Sequence, residues 1–305
     1  MHKIIPAFEF RRRARAAMRP VMSILVVVML IAMLPSLASN VITLITDSDP
    51  SAALAAYYTP ETISAIMGTD EAASSAAMEQ LRSGLSSFIA GKWPFIALTA
   101  AITLFFGPAL TLGFNHTLLK ALRKEEIAYS SVLARMPIFL KAIGLTLMIA
   151  LRIFLWLLPG WALSLIGAVV LFFLPELGGL IMLAAVVLMF VLMLQAMYRF
   201  RLATYVMADQ PETGINAAIR RSKEIMKGRK MELFYLEVSF VGWRLLVSFA
   251  QTLLLGMLGT VLGMTLGMFA SFLLQMYMYM ATAAFYQEYG IGPLPNAEPE
   301  QEELI

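Results

Sequence analysis

Long apolar runs separated by short polar stretches set the pattern of this chain, and most of them are too long for a buried strand or a core helix. A helix needs about 20 mostly apolar residues to cross a hydrocarbon core about 30 Å thick. Six runs qualify: 21–45, 93–118, 138–159 with an apolar continuation to 174, 180–198, 233–255 and 259–285. The predicted fold is all-α and polytopic, with about six transmembrane helices. The third run is interrupted by Pro159 and Gly160. Dividing it into two spans would send the basic stretch from Arg199 to Lys230 outward, so one span breaking at Pro159–Gly160 is expected. Residues 162–174 then form an interfacial or re-entrant segment, or an extension accommodated by tilt.

Composition agrees: 60% of the 305 residues are hydrophobic and 14% charged, against roughly half and a quarter in soluble domains. The placement of the cations says more than the net charge of +3. Lys and Arg crowd before the first run, between the second and third (Lys120, Arg123, Lys124, Arg135, Lys141) and between the fourth and fifth, while Arg82 and Lys92 alone fall on the other side. The positive-inside rule then makes both termini cytoplasmic. Arg11, Arg12, Arg13, Arg15 and Arg19 ahead of an apolar run imitate a signal peptide, but the run continues through "VITLI", so an uncleaved anchor is expected.

The polar segments divide the chain further. Residues 1–20 read as a basic amphipathic N-terminus, 21–286 as the membrane domain and 287–305 as an acidic disordered tail. Within the membrane domain, 46–92 forms an acidic external loop in which Asp70 and Glu71 open a helix with a stripe at Ala77, Leu81, Leu85 and Phe88. Residues 209–230 predict an amphipathic cytoplasmic helix with Pro211 in its first turn and Gly228 at its end, lying on the inner leaflet. Its cations predict anionic membrane lipid as a partner, at about 1 kcal/mol for each near the surface. Nucleic acid is not expected.

The stretch 198–243 resembles the signature region of a bacterial membrane-protein family known as domain of unknown function 975. The similarity is carried by Ser222, Lys223, Met226, Lys227, Gly228, Ser239, Phe240, Val241, Gly242 and Trp243. Weaker similarities in "RRRARAAM", "GPALTLGF", "LWLLPG" and "ATAAFYQEY" extend it over most of the chain outside the external loop. Two features depart from the family pattern: the stretch between "LWLLPG" and "YRF" is longer than usual, and Val241 stands where Ile is common. The resemblance implies a multi-pass plasma-membrane protein of bacteria with no established catalytic activity.

Candidate chemistry is sparse. The chain has no cysteine, which excludes disulfides and thiolate chemistry, and its two histidines, His2 and His116, belong to no HExxH motif. No metal, cofactor or catalytic residue is expected, and His116 reads as a structural polar residue. The glycine spacing is more informative. Gly259, Gly263, Gly267 and Ser271 recur every fourth residue and predict a small-residue helix-packing face, used within the bundle or in a homodimer. Arg152, Glu237 and Arg244 are charges inside spans, where facing lipid is costly. With Glu237 and Arg244 two turns apart and Arg152 at similar depth, they are expected to form one interior cluster, as a brace between spans three and five or a binding site. The alternative is that Glu237, about one turn inside its span, reaches toward the basic inner surface. The expected function is a non-enzymatic envelope role through binding lipid or other membrane proteins. The alternative is a small transporter or channel subunit using that cluster.

Overall fold

The computed structural model describes residues 5–68 and 70–292, and among them there are helices and no strand. The α-helices are α1 (Ala7–Met18), α2 (Met22–Thr46), α3 (Pro50–Tyr57), α4 (Pro60–Met67), α5 (Glu71–Leu122), α6 (Phe139–Phe173), α7 (Pro175–Phe200), α8 (Ala203–Asp209), α9 (Ile215–Ile225), α10 (Lys230–Val238) and α11 (Val241–Tyr286). A 3-10 helix, Tyr129–Ile138, leads into α6, and a wider helical turn, Gln287–Ile291, follows α11. Six stretches are long and apolar enough to cross a membrane, as the hydropathy pattern predicts: Ala7–Thr46, Glu71–Leu122, Tyr129–Phe173, Pro175–Asp209, Lys230–Gly259 and Thr265–Ile291.

The chain divides into two compact units, residues 33–108 and the remainder. In the smaller unit, Asp49 and Thr59 cap α3 and α4 by accepting backbone N–H bonds from Ser51 and Thr62, and a proline occupies the first turn of each helix. The Asp49 carboxyl is held below its usual pKa by its hydrogen bonds to Ser51. The helix expected to open at Asp70 and Glu71 does so, with Ala77 and Leu81 buried on its apolar stripe. It does not stop at residue 92, however, but continues as α5 for 52 residues.

In the larger unit α6 and α7 form a hairpin about Leu174. The expected break at Pro159–Gly160 is absent, and α6 continues for 35 residues. Proline removes one backbone donor and crowds the preceding turn, but Gly160 and Gly167 of α6 and Gly178 of α7 let the two helices pack closely. Gly160 lies against Met189, Gly167 against Ile181 and Met182, and Gly178 against Leu171. The fifth and sixth spans, joined in α11, likewise double back on each other. Gly259 takes φ 77°, ψ 169°, a conformation open to glycine, and beyond it Gly263 meets Leu254 and Leu255 while Gly267 meets Gln251.

The core of this unit lies where the short helices meet the ends of the long ones. Phe10, Ala14 and Met18 of α1 are buried at helical spacing, and Phe10 packs on Phe285 and Tyr289 at 5.4 and 5.9 Å. The expected disordered tail therefore begins as structure. Gln287 is buried, and Glu288 pairs with Arg13 at 2.6 Å; residues 293–305 of that tail lie outside the described residues. The expected helix over 209–230 is shorter, because residues 211–213 form a turn and α9 starts at Ile215. Its face Ala218, Ile219, Ser222 and Ile225 is buried against the protein's own core, where an inner-leaflet contact was expected. Gly228, at φ 81°, turns the chain into α10.

Candidate anion-binding site

The three charges expected to cluster are not brought together. Arg152 donates to Asn216 Oδ1 of α9 at 2.7 Å. Glu237 accepts from Tyr198 Oη at 2.6 Å and pairs with Arg201 at 3.3 Å, both from the end of α7. Arg244 reaches Gln275 Oε1 at 3.4 Å across the last hairpin. The expectation assumed one straight helix through 233–255. Instead the regular helix is interrupted at Ser239 and Phe240, where ψ is −15° and −9°, and Glu237 is held by Tyr198 and Arg201 while Arg244 faces the opposite arm of the hairpin. Arg152 is drawn away as well, because side chains on a helix lean toward its N-terminus and the N-terminus of α6 lies beside α9.

The family-like residues act mainly as joints of the fold. Ser222 Oγ is buried and donates to the Arg199 carbonyl at 3.1 Å, tying α9 to the end of α7, and Met226 is fully buried. Lys227 and Gly228 form the turn into α10. Ser239 Oγ donates to the Leu236 carbonyl at 2.6 Å, and Phe240 meets the Tyr277 ring edge-on at 5.1 Å. Gly242 has open space around it, and Trp243 is exposed. Lys223 alone of this set faces other cations.

Around Lys223, three helices contribute positive charge. The register of the α6–α7 hairpin, set by Gly160 on Met189 and Gly178 on Leu171, puts Arg152 level with Met197, two residues from Arg199. The Arg199 guanidinium lies over the Trp156 ring of α6 at 5.2 Å, and the Lys223 ammonium over the Phe200 ring of α7 at 5.4 Å. Asn216 and Lys223 are two turns apart on α9 and so share a face, with Arg220 between them. Next to them Lys141, Gly214, Ile215, Asn216, Ala217 and Arg220 line a cleft of about 590 Å³. Partial burial first, then Arg152 and Arg199, hold the Lys223 ammonium below its usual pKa. Among the described residues no carboxylate forms an ion pair with Arg152, Arg199 or Lys223. Such an arrangement favours an anion, which would relieve the mutual repulsion.

A second polar group, not anticipated from the sequence, is paired internally. Arg123 donates to Asp209 Oδ1 at 2.7 Å and to Gln287 Oε1 at 3.0 Å, and Tyr286 Oη reaches the other Asp209 oxygen at 3.4 Å. Arg135 contacts His116 Nδ1 at 3.2 Å and donates to the Ala208 carbonyl at 2.9 Å. These contacts join the ends of α5, α8 and α11 to the 3-10 segment, and they give His116 the partner its isolation in sequence concealed. Their separations, 86 and 164 residues for the Arg123 bonds, leave no local signature.

The predicted glycine face is used within the chain at two of its positions. Gly263 and Gly267 pack on the opposite arm of the hairpin, Gly259 makes the turn, and Ser271 lines a small polar pocket with Arg244, Ser248, Gln251 and Gln275. Among the described residues no three His, Asp or Glu side chains converge as metal ligands.

The family model described as Protein of unknown function (DUF975) matches residues 11–289, and the chain belongs to that family. No curated protein and no solved structure matches it at a significant level.

Proposed function

For this member of the DUF975 family, we propose a non-enzymatic role in the bacterial plasma membrane, with both termini cytoplasmic and anionic phospholipid of the inner leaflet bound by its basic segments. One observation carries the reading. The helices α1 and α9 sink one face into the core and leave several cations outside: Arg12 is 65% and Arg220 77% exposed, Arg15 and Arg221 are exposed too, and so are Arg19 and Lys227 just beyond the helix ends. Cations held at the ends of apolar spans attract anionic headgroups within about a Debye length. The test is thermal unfolding of the purified full chain in detergent supplemented with phosphatidylglycerol or phosphatidylcholine. A larger upward shift with phosphatidylglycerol that fades with salt supports the reading, and equal shifts overturn it.

A second reading, a small transporter or channel subunit, draws on the pocket beside Arg244, about 310 Å³ in volume. Polar groups within spans often mark solute pathways. Solute flux into proteoliposomes that Arg244→Gln abolishes would favour it.

A further inference from the structure

The cations of the larger unit fall into two kinds. Arg12, Arg15 and Arg19 are exposed on or just after α1 and add to a general positive field. Arg152, Arg199 and Lys223 are half-buried and come from three helices; Arg199 and Lys223 lie over the Trp156 and Phe200 rings, and Arg152 is held by Asn216. We propose that these three side chains form a defined site for one anionic phospholipid, with the phosphodiester held among them and the acyl chains lying on α6. The proposal rests on the lipid-binding reading above and adds a location and a stoichiometry to it.

Each component suits that ligand. Stacking on Trp156 fixes the Arg199 guanidinium by its face and leaves its N–H edge for oxygen acceptors. Asn216 holds one nitrogen of Arg152, orienting the remaining donors of the fork. Lys223 adds a point charge over Phe200. A phosphodiester shares one negative charge between two non-bridging oxygens, an acceptor pair that planar guanidinium groups match. What distinguishes a lipid from free phosphate is the surface beside the charges: Leu151, Phe154 and Leu155, next to Arg152 on α6, are all exposed. These side chains continue the apolar surface of the span up to the charges, so a phospholipid can place its headgroup and its chains on adjoining surfaces of α6.

Native mass spectrometry of the full chain, with phosphatidylglycerol, phosphatidylcholine or inorganic phosphate added, tests the site. The expected result is one phosphatidylglycerol retained more tightly than phosphatidylcholine and not displaced by millimolar phosphate. Arg152→Gln, Arg199→Gln and Lys223→Gln should each weaken it roughly five-fold, and the triple variant about 100-fold. The α1 control, Arg12→Gln with Arg15→Gln and Arg19→Gln, should weaken it far less than the cluster triple, and Arg82→Gln, an exposed cation outside these basic segments, should leave it unchanged. Displacement by phosphate overturns the lipid assignment. A preference lost in the α1 control but kept in the cluster variant overturns the site while sparing the general reading, and wild-type protein with no preference overturns both. Photo-crosslinkable phosphatidylglycerol on wild-type protein covers the case of a variant that does not fold. Adducts within 151–161 and 214–223 support the site, and adducts confined elsewhere contradict it.

Discussion

Replacing Gly113 by alanine puts a methyl group where α5 and the 3-10 segment touch backbone to backbone. The new Cβ would lie 2.6 Å from the Val132 carbonyl carbon, 3.1 Å from its Cα, and closer still to its oxygen. Carbon–carbon contacts settle at about 3.5–4.0 Å, so the two segments must part by about 1 Å. No rotamer change can relieve this, because the obstruction is main chain and Val132 is fully buried. Parting them also strains the Arg135 bonds to His116 and Ala208, which start three residues further on. Overpacking costs about 1–3 kcal/mol when side chains can adjust, and this case belongs at about 3 kcal/mol or above. Gly144→Ala is the matched control: its Cβ would lie 2.7 Å from Ile215 Cδ1, the tip of a flexible side chain, at a cost of about 1 kcal/mol. Thermal unfolding in one detergent, with size-exclusion profiles to confirm folding, compares them. If Gly113→Ala unfolds no earlier than Gly144→Ala, the packing of the 3-10 segment on α5 is wrong.

Three further outcomes are expected. Asp209→Asn keeps an acceptor for Arg123 but removes the charge from a pair that is 10% and 26% exposed, and should cost about 2 kcal/mol by thermal unfolding; if the loss adds fully to that of Arg123→Gln in a double-mutant cycle, the pair contributes nothing. Gln251→Cys with Gly267→Cys, in this cysteine-free chain, should oxidise to an intrachain disulfide and migrate as a monomer, since a Cβ at 267 lies 2.9 Å from Gln251 Cβ; a disulfide-linked dimer alone would contradict the hairpin. Lys223→Met should raise the unfolding temperature of lipid-free protein at pH 7 while weakening phosphatidylglycerol binding. Because the pKa of Lys223 is depressed, its protonated form costs stability that returns as pH rises through that pKa toward the ordinary lysine value, so the gap between variant and wild type should close at alkaline pH. A gap independent of pH would refute that origin.

The six spans were legible because lipid demands long apolar helices, and hydropathy reports that demand directly. The family was legible from the motif around Ser222 to Trp243, whose residues lie at turns and helix junctions where few side chains serve. What failed was each inference that assumed a straight helix or a broken one. Periodicity cannot show that the regular helix is interrupted at Ser239 and Phe240, between Glu237 and Arg244. Nor can it show that α6 runs unbroken through Pro159 with Gly160 packed on Met189 of α7. The cation site was half legible, since Arg152 stood out as a charge within a span. Its companions Arg199 and Lys223 looked like ordinary topology-setting cations until the hairpin register and the docking of α9 placed them beside Trp156 and Phe200.

Trp156 offers the most direct test that an anionic lipid sits at this site, because it is the ring on which Arg199 rests. Its emission can be isolated from that of the other three tryptophans by subtracting the spectrum of Trp156→Phe, which keeps a ring under the guanidinium. Brominated acyl chains quench it at contact. At equal mole fraction in otherwise identical nanodiscs, brominated phosphatidylglycerol should quench this difference emission more strongly than brominated phosphatidylcholine, and Arg152→Gln with Lys223→Gln should remove the excess. Equal quenching by the two lipids in the wild-type protein would contradict the account.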